Sequence, residues 1–134
     1  MVPRGIRLNN PLNIKKTLIL WQGEVTSTDP IFEEFSSPRE GIRAGCKILL
    51  TYHNKHHLRN LNSIINRWAP PGENPTSNYV KFVSGKVGVA ADQLIDLTQP
   101  KLLATLVQGM IEFENGSCPY DFNLILDVAT SLTA

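Results

Sequence analysis

Cysteine is scarce in this 134-residue chain, and Cys46 and Cys118 stand far apart with no C-x-x-C pair. That excludes a thioredoxin-like redox motif and a zinc knuckle, and leaves reduced thiols as the expectation. An excess of one charge sign is lacking too. Thirteen Lys and Arg against twelve Asp and Glu leave a net charge of +1. That is too little for the electrostatic footprint of a nucleic-acid binder, so no nucleic-acid partner is expected. No apolar run approaches the roughly 20 residues of a membrane span. The first five residues lack the apolar stretch of a secretory signal, so a soluble chain exported by another route, if at all, is expected. There is no glycine-rich phosphate loop and no G-x-S-x-G, which removes support for a nucleotide site or a serine nucleophile.

What is present reads as one globular unit. Hydrophobic residues make up 42% and charged residues 19%, and a chain of this length is expected to fold as a single domain spanning 1–134. Such a domain buries roughly two-thirds of its unfolded surface and needs no disulfide, metal or cofactor to hold its core.

The first 37 residues differ from the rest. Gly5, Asn9, Asn10, Pro11, Asn13 and Pro30 break the pattern, and Leu18-Ile19-Leu20-Trp21 and Val25-Thr26 are short apolar runs. Loops with one or two short strands are expected there. Five helices follow. Ser37-Pro38-Arg39-Glu40 offers a capping box before the stripe Ile42, Cys46, Leu49 and Tyr52, ending near His53. Leu61, Ile64, Ile65 and Trp68 form a single apolar face stopped by Pro70-Pro71-Gly72. Asn74-Pro75 is expected to open a third helix with Tyr79, Val80 and Val83, ending around Gly85 or Gly88. Thr98 and Pro100 open a fourth that Asn115-Gly116 closes, and a fifth runs from about Asp121. The fold class is mainly α (α+β), helices with a small β or loop segment at the N-terminus.

In the fourth helix Val107, Met110, Ile111 and Glu114 share the spacing i, i+3, i+4, i+7, which places a carboxyl on the core-facing stripe. Apolar surroundings and the negative end of the helix dipole both favour its protonated form, the state a general acid needs. Glu112 shares its side with Thr105, Gln108 and Gly109 and is expected to face water. The competing reading for Glu114 is structural, an outward swing or an ion pair with Arg67 or Arg43. His53, His56 and His57 cluster at zinc-like spacing without the glutamate of H-E-x-x-H, so a solvated helix end is expected and no metal.

Several stretches together resemble a known family. They are Arg4-Gly5-Ile6-Arg7-Leu8-Asn9-Asn10-Pro11-Leu12-Asn13-Ile14, Trp21-Gln22-Gly23, Asp29 with Phe32 and Phe35, and Gly41-Ile42-Arg43-Ala44. Arg67-Trp68-Ala69-Pro70-Pro71, Glu73-Asn74-Pro75-Thr76 with Tyr79, and Glu114-Asn115-Gly116 with Tyr120 complete the pattern. It resembles a family of phage and prophage proteins known as virion structural proteins or lysozyme-like peptidoglycan hydrolases. Leu8 stands where that family has asparagine, Leu12 where it has glycine, and Phe113 where it tends to have histidine. The Leu12 difference puts the loop shape in question, since glycine suits unusual backbone angles.

The resemblance implies a lysozyme-like domain whose helix-terminal glutamate comes late and whose Asn-rich cleft segment comes early, a circularly permuted order. The two ends are then expected to meet beside a cleft. It implies a phage or prophage glycosidase cutting the β-1,4 bonds of peptidoglycan glycan strands, as a muramidase, a glucosaminidase or a lytic transglycosylase. Such a protein works in the virion during genome entry, or as an endolysin from the host cytoplasm, with other virion proteins as further partners. Wall-hydrolysing toxins delivered by secretion machines share the chemistry. Glu114 would be the general acid and Asp29 the preferred second carboxylate, ahead of Glu24. For Asp29 a turn role in Thr28-Asp29-Pro30 competes. Asn9, Asn10 and Asn13 would bind sugar hydroxyls and acetamido groups, or staple their own loop. Trp21 and Tyr79 would line the groove, while core packing is favoured for Trp68. Glu73 and Asn74 are expected to shape a helix start. The alternative to an enzyme is a non-catalytic virion protein that keeps the fold and a glycan-binding groove.

Overall fold

Prolines and capping side chains set where the helices begin, and αL glycines set where two of them end. The computed structural model describes residues 2–72 and 74–134. In chain order it contains α1 (Arg4–Arg7), β1 (Glu24–Val25), β2 (Glu34–Phe35), α2 (Pro38–Asn54), α3 (Leu61–Trp68), α4 (Thr76–Val87), α5 (Pro100–Asn115) and α6 (Phe122–Thr133). Glu73 lies outside the described residues.

Ser37 caps α2 by accepting the Glu40 amide at 3.4 Å, but Glu40 does not complete the capping box. Its carboxylate accepts from Gln22 instead, also at 3.4 Å. Asn60 caps α3 through Ser63, and Asp121 caps α6 through Asn123, each at 2.8 Å. Two expected caps differ. Asn74 donates to the Pro70 carbonyl at 2.9 Å and leaves the start of α4 to Pro75. Thr98 donates to Asp96 at 2.6 Å, and Gln99 and Pro100 open α5 without a side-chain cap. Gly88 (φ 80°) ends α4 and Gly116 (φ 84°) ends α5, both in the left-handed conformation glycine adopts without strain.

The helices bury their apolar stripes together. Helix α5 packs against α4 and α6, touches α1 and α2, and contributes Leu103, Leu106, Val107, Met110 and Ile111 to the core. The stripe of α2 enters the same core, where Cys46 is free and burial pushes its thiol up to about 12. A smaller cluster of Ile14, Phe35 and Ala44, with Trp21 against it, joins the N-terminal segment to α2. The α1 turn was not expected, because Gly5 and the asparagines beside it read as loop.

The β-like segment is a minimal antiparallel pair, Glu24 opposite Phe35 and Val25 opposite Glu34. The run Leu18-Ile19-Leu20 is not a strand but an exposed loop. Leu12 does not disturb its loop. Its backbone stays out of the left-handed region, and its side chain fills the space over Gly45 that any larger residue there would occupy. His53 is buried and sits 3.6 Å from Asp96, so that helix end is less solvated than expected.

Beneath the strand pair lies an acid with an incomplete set of partners. Glu33 is 4% exposed, and its Oε2 has no hydrogen-bond partner. Burial first, and then the neighbouring Glu24 carboxylate, push its carboxyl above the usual value. As pH rises past about 4.5, the unfolded chain releases this proton before the folded chain does, so the folded state loses stability. Glu33→Gln should therefore raise the melting temperature at pH 7 by about 3–5 °C, for roughly 1 kcal/mol. The gain should vanish near pH 3, and thermal melts at both pH values check it.

Candidate active site

The end of α5 and the Asn-rich loop meet although they are 101 residues apart in sequence. Asn13 Nδ2 donates to Glu114 Oε1 at 2.9 Å. Tyr79 OH donates to Glu114 Oε2 at 3.0 Å, and the Trp68 indole N–H reaches the same oxygen at 3.4 Å. Glu114 is half-buried and makes no ion pair with Arg67 or Arg43, so neither structural alternative holds. Its neighbour Glu112 is also half-buried and pairs with Lys86 at 2.8 Å.

Each partner of Glu114 is held by its own element. Tyr79 is buried on α4 and stacks on Phe113 with ring centroids 4.1 Å apart. Phe113, where the resembling family tends to have histidine, thus supports the tyrosine from below. Burial and the adjacent Glu114 carboxylate together push the Tyr79 hydroxyl far above its usual value, so it remains a donor. Trp68 meets Tyr52 edge-on at 6.4 Å and turns its N–H to the acid. Its place on the apolar stripe of α3 favoured core packing alone. The ring does pack on the core, but one polar edge reaches the site.

Glu114 opens onto a cleft of about 650 Å³, within the range of small-ligand sites. Asn13, Lys15 and Thr17 line it from the N-terminal segment, and Tyr52 and Trp68 line it from the helices. Arg4 and Phe32 line it as well, with the Arg4 guanidinium 3.7 Å from the Phe32 ring centroid. Among the described lining residues Glu114 is the one carboxylate.

The remaining expected site residues serve structure. Asn10 is fully buried, accepts the Ile14 amide and donates to the Ile14 and Glu33 carbonyls, each at 2.9 Å. Both amide protons are used and no part of the side chain is exposed to a sugar. Asn9 adopts φ 54° and donates to the Phe35 carbonyl at 3.1 Å. Trp21 does not line the cleft, and its N–H is buried against the small cluster without a partner. Asp29 Oδ1 accepts the Ile31 and Phe32 amides at 2.8 and 2.9 Å, and these bonds hold its carboxyl below the usual range. It forms the turn and does not line the cleft. Glu24 accepts the Trp21 amide and lies beside Glu33, also outside the cleft lining. Among the described residues no group of three or more His, Cys, Asp or Glu is placed to hold a metal.

One residue missed from sequence is Asn115, which donates to the Pro11 carbonyl at 2.7 Å and to Ile111 at 3.0 Å, tying the helix end to the loop. Its place beside Glu114 was the available signal. Asn13 itself sits at φ 54°, a left-handed conformation that costs other non-glycine residues about 1 kcal/mol. Asn13→Gly should therefore keep near-native stability while removing the bond to Glu114, and Asn13→Ala should lose about 1–2 kcal/mol. Asn10→Ala, which strands buried backbone groups, should cost about 3 kcal/mol. Urea unfolding of the three variants checks this ranking.

No family model matches the chain. It is 47% identical over 127 residues to Protein P5 of Pseudoalteromonas phage PM2, an alignment covering 91% of this chain and 77% of that protein. Among the described residues no helix is long and apolar enough to cross a membrane. At that identity and coverage the chain belongs to the family of the phage Protein P5.

Proposed function

We propose that this chain is a phage glycosidase that cuts peptidoglycan, with Glu114 as general acid on a circularly permuted lysozyme-like core. The observation carrying this reading is the Glu114 carboxyl at a helix end, oriented by Asn13, Tyr79 and Trp68 beside a cleft. The phage relative supports a phage setting. Action in the virion or at release, with wall glycan strands and other virion proteins as partners, is part of the proposal.

Three donors fix the plane of the carboxyl without neutralising it by an ion pair. Oε2 takes the tyrosine and the indole, while Oε1 takes one bond from Asn13 and keeps a lone pair for a proton. In the proposed reaction Glu114 gives that proton to the bridging glycosidic oxygen as its bond to the anomeric carbon breaks. Asp29 is engaged by its turn, and Glu114 is the one acid among the described cleft residues, so the single-glutamate route is favoured. The substrate's own 6-hydroxyl then attacks the anomeric carbon and returns its proton to Glu114, leaving a 1,6-anhydro end. A conventional hydrolase would need a second carboxylate about 5–9.5 Å away.

Glu114→Gln, nearly isosteric, should lower clearing of cell-wall suspensions by at least about 100-fold. Asp29→Asn should stay within about twofold, since asparagine forms the same turn. Mass spectrometry of the products should show anhydro ends. Equal clearing by wild type and Glu114→Gln would remove the acid role. Wall binding without clearing by wild type would favour the alternative, a non-catalytic virion protein with a glycan-binding groove.

A further inference from the structure

The cleft carries two cations that its acid chemistry does not use. Arg4 and Lys15 both line it, and neither belongs to the ion pairs among the described residues, which join Arg39 to Asp127, His53 to Asp96 and Lys86 to Glu112. In a chain of net charge +1, two unpaired cations in one cleft are a local concentration of charge and not a general excess. The nearby acid Asp29 is occupied by the Ile31 and Phe32 amides.

Arg4 is also oriented. Its guanidinium lies over the Phe32 ring at 3.7 Å. No ion pair among the described residues engages it, which leaves available the N–H fork that matches a carboxylate. Lys15 is tied to the same place through its backbone bridge to Phe32. Phe32 in turn is fixed by the Asp29 turn, and Ser27 donates to its carbonyl at 2.6 Å.

We infer that Arg4, with Lys15, is a specificity subsite for a carboxylate carried on the glycan, so that the cleft selects acidic wall strands over neutral amino-sugar polymers. The inference rests on the glycan reading of the cleft. Two sources supply that chemistry, the lactyl carboxylate of a bare muramic acid residue and the carboxylates of a peptide stem. A neutral polymer of N-acetylglucosamine supplies neither.

The test uses the full chain carrying Glu114→Gln, so that ligand is not consumed, and calorimetry with three probes. These are soluble wall strands with peptide stems, strands stripped of stems by an amidase, and a neutral N-acetylglucosamine hexamer. At low salt, adding Arg4→Gln should weaken binding of carboxylate-bearing strands about tenfold and leave the hexamer within about twofold. Arg4→Lys should restore part of the loss, and 0.5 M salt should erode the same contribution. Loss on the stripped strands alone assigns the lactyl carboxylate, which the amidase frees. Loss on stem-bearing strands alone assigns the stem, and loss on both shows that the subsite accepts either carboxylate. Equal affinity for all three probes, or equal weakening of all three by Arg4→Gln, overturns the inference while leaving the glycan reading standing. If none of the probes binds, the glycan reading fails and this inference with it.

Discussion

The contact between the Asn-rich loop and the last turn of α5 holds the site together. Asn13 reaches Glu114 and Asn115 reaches the Pro11 carbonyl, closing 101 and 104 residues of chain with two amide groups. Neither bond alone offsets the entropy of closing so long a loop. The helices supply that, because α5 is already positioned by α4 and α6 and the loop by α2. Gly5 marks how tightly the segments meet. A Cβ there would lie 2.7 Å from the Asn10 carbonyl oxygen and 2.8 Å from the side-chain oxygens of both Asn13 and Asn115. Within the short α1 turn, only a residue without a Cβ fits at that spot.

From this contact follows the division of labour among the asparagines. Asn10 is consumed inside the loop, Asn9 binds it to β2, and Asn13 turns outward to the acid. Two of them hold the left-handed backbone that asparagine tolerates better than other side chains. The loop is thus held by its own hydrogen bonds, and the Glu114 carboxyl is oriented by that loop, a buried tyrosine and an indole edge.

Much of the helical framework could be read from residues in order. Pro38, Pro70-Pro71 and Gly116 act within a turn or two of where they stand, and the stripes of α2, α3 and α5 depend only on helical periodicity. Glu114 was visible for the same reason, as a polar residue on an apolar stripe. What could not be read was which distant polar group would reach it. Asp29 looked equally suited to catalysis and to a turn, and the turn prevailed because two amides lie within three residues of its carboxylate. Trp68 looked like core because periodicity locates a ring but not the direction of its one N–H.

The sequence by itself determined the five longer helices α2 to α6, most of their ends, the burial of their stripes and the presence of an acid at the close of α5, because these follow from interactions spanning a few residues. Only the tertiary structure decided that Tyr79, Trp68 and Asn13 converge on that acid, that Asn9 and Asn10 are internal staples, and that Arg4 rests on Phe32 in the same cleft. Those contacts join segments up to a hundred residues apart. Their partners are selected by the packing of the whole chain, which no local spacing encodes.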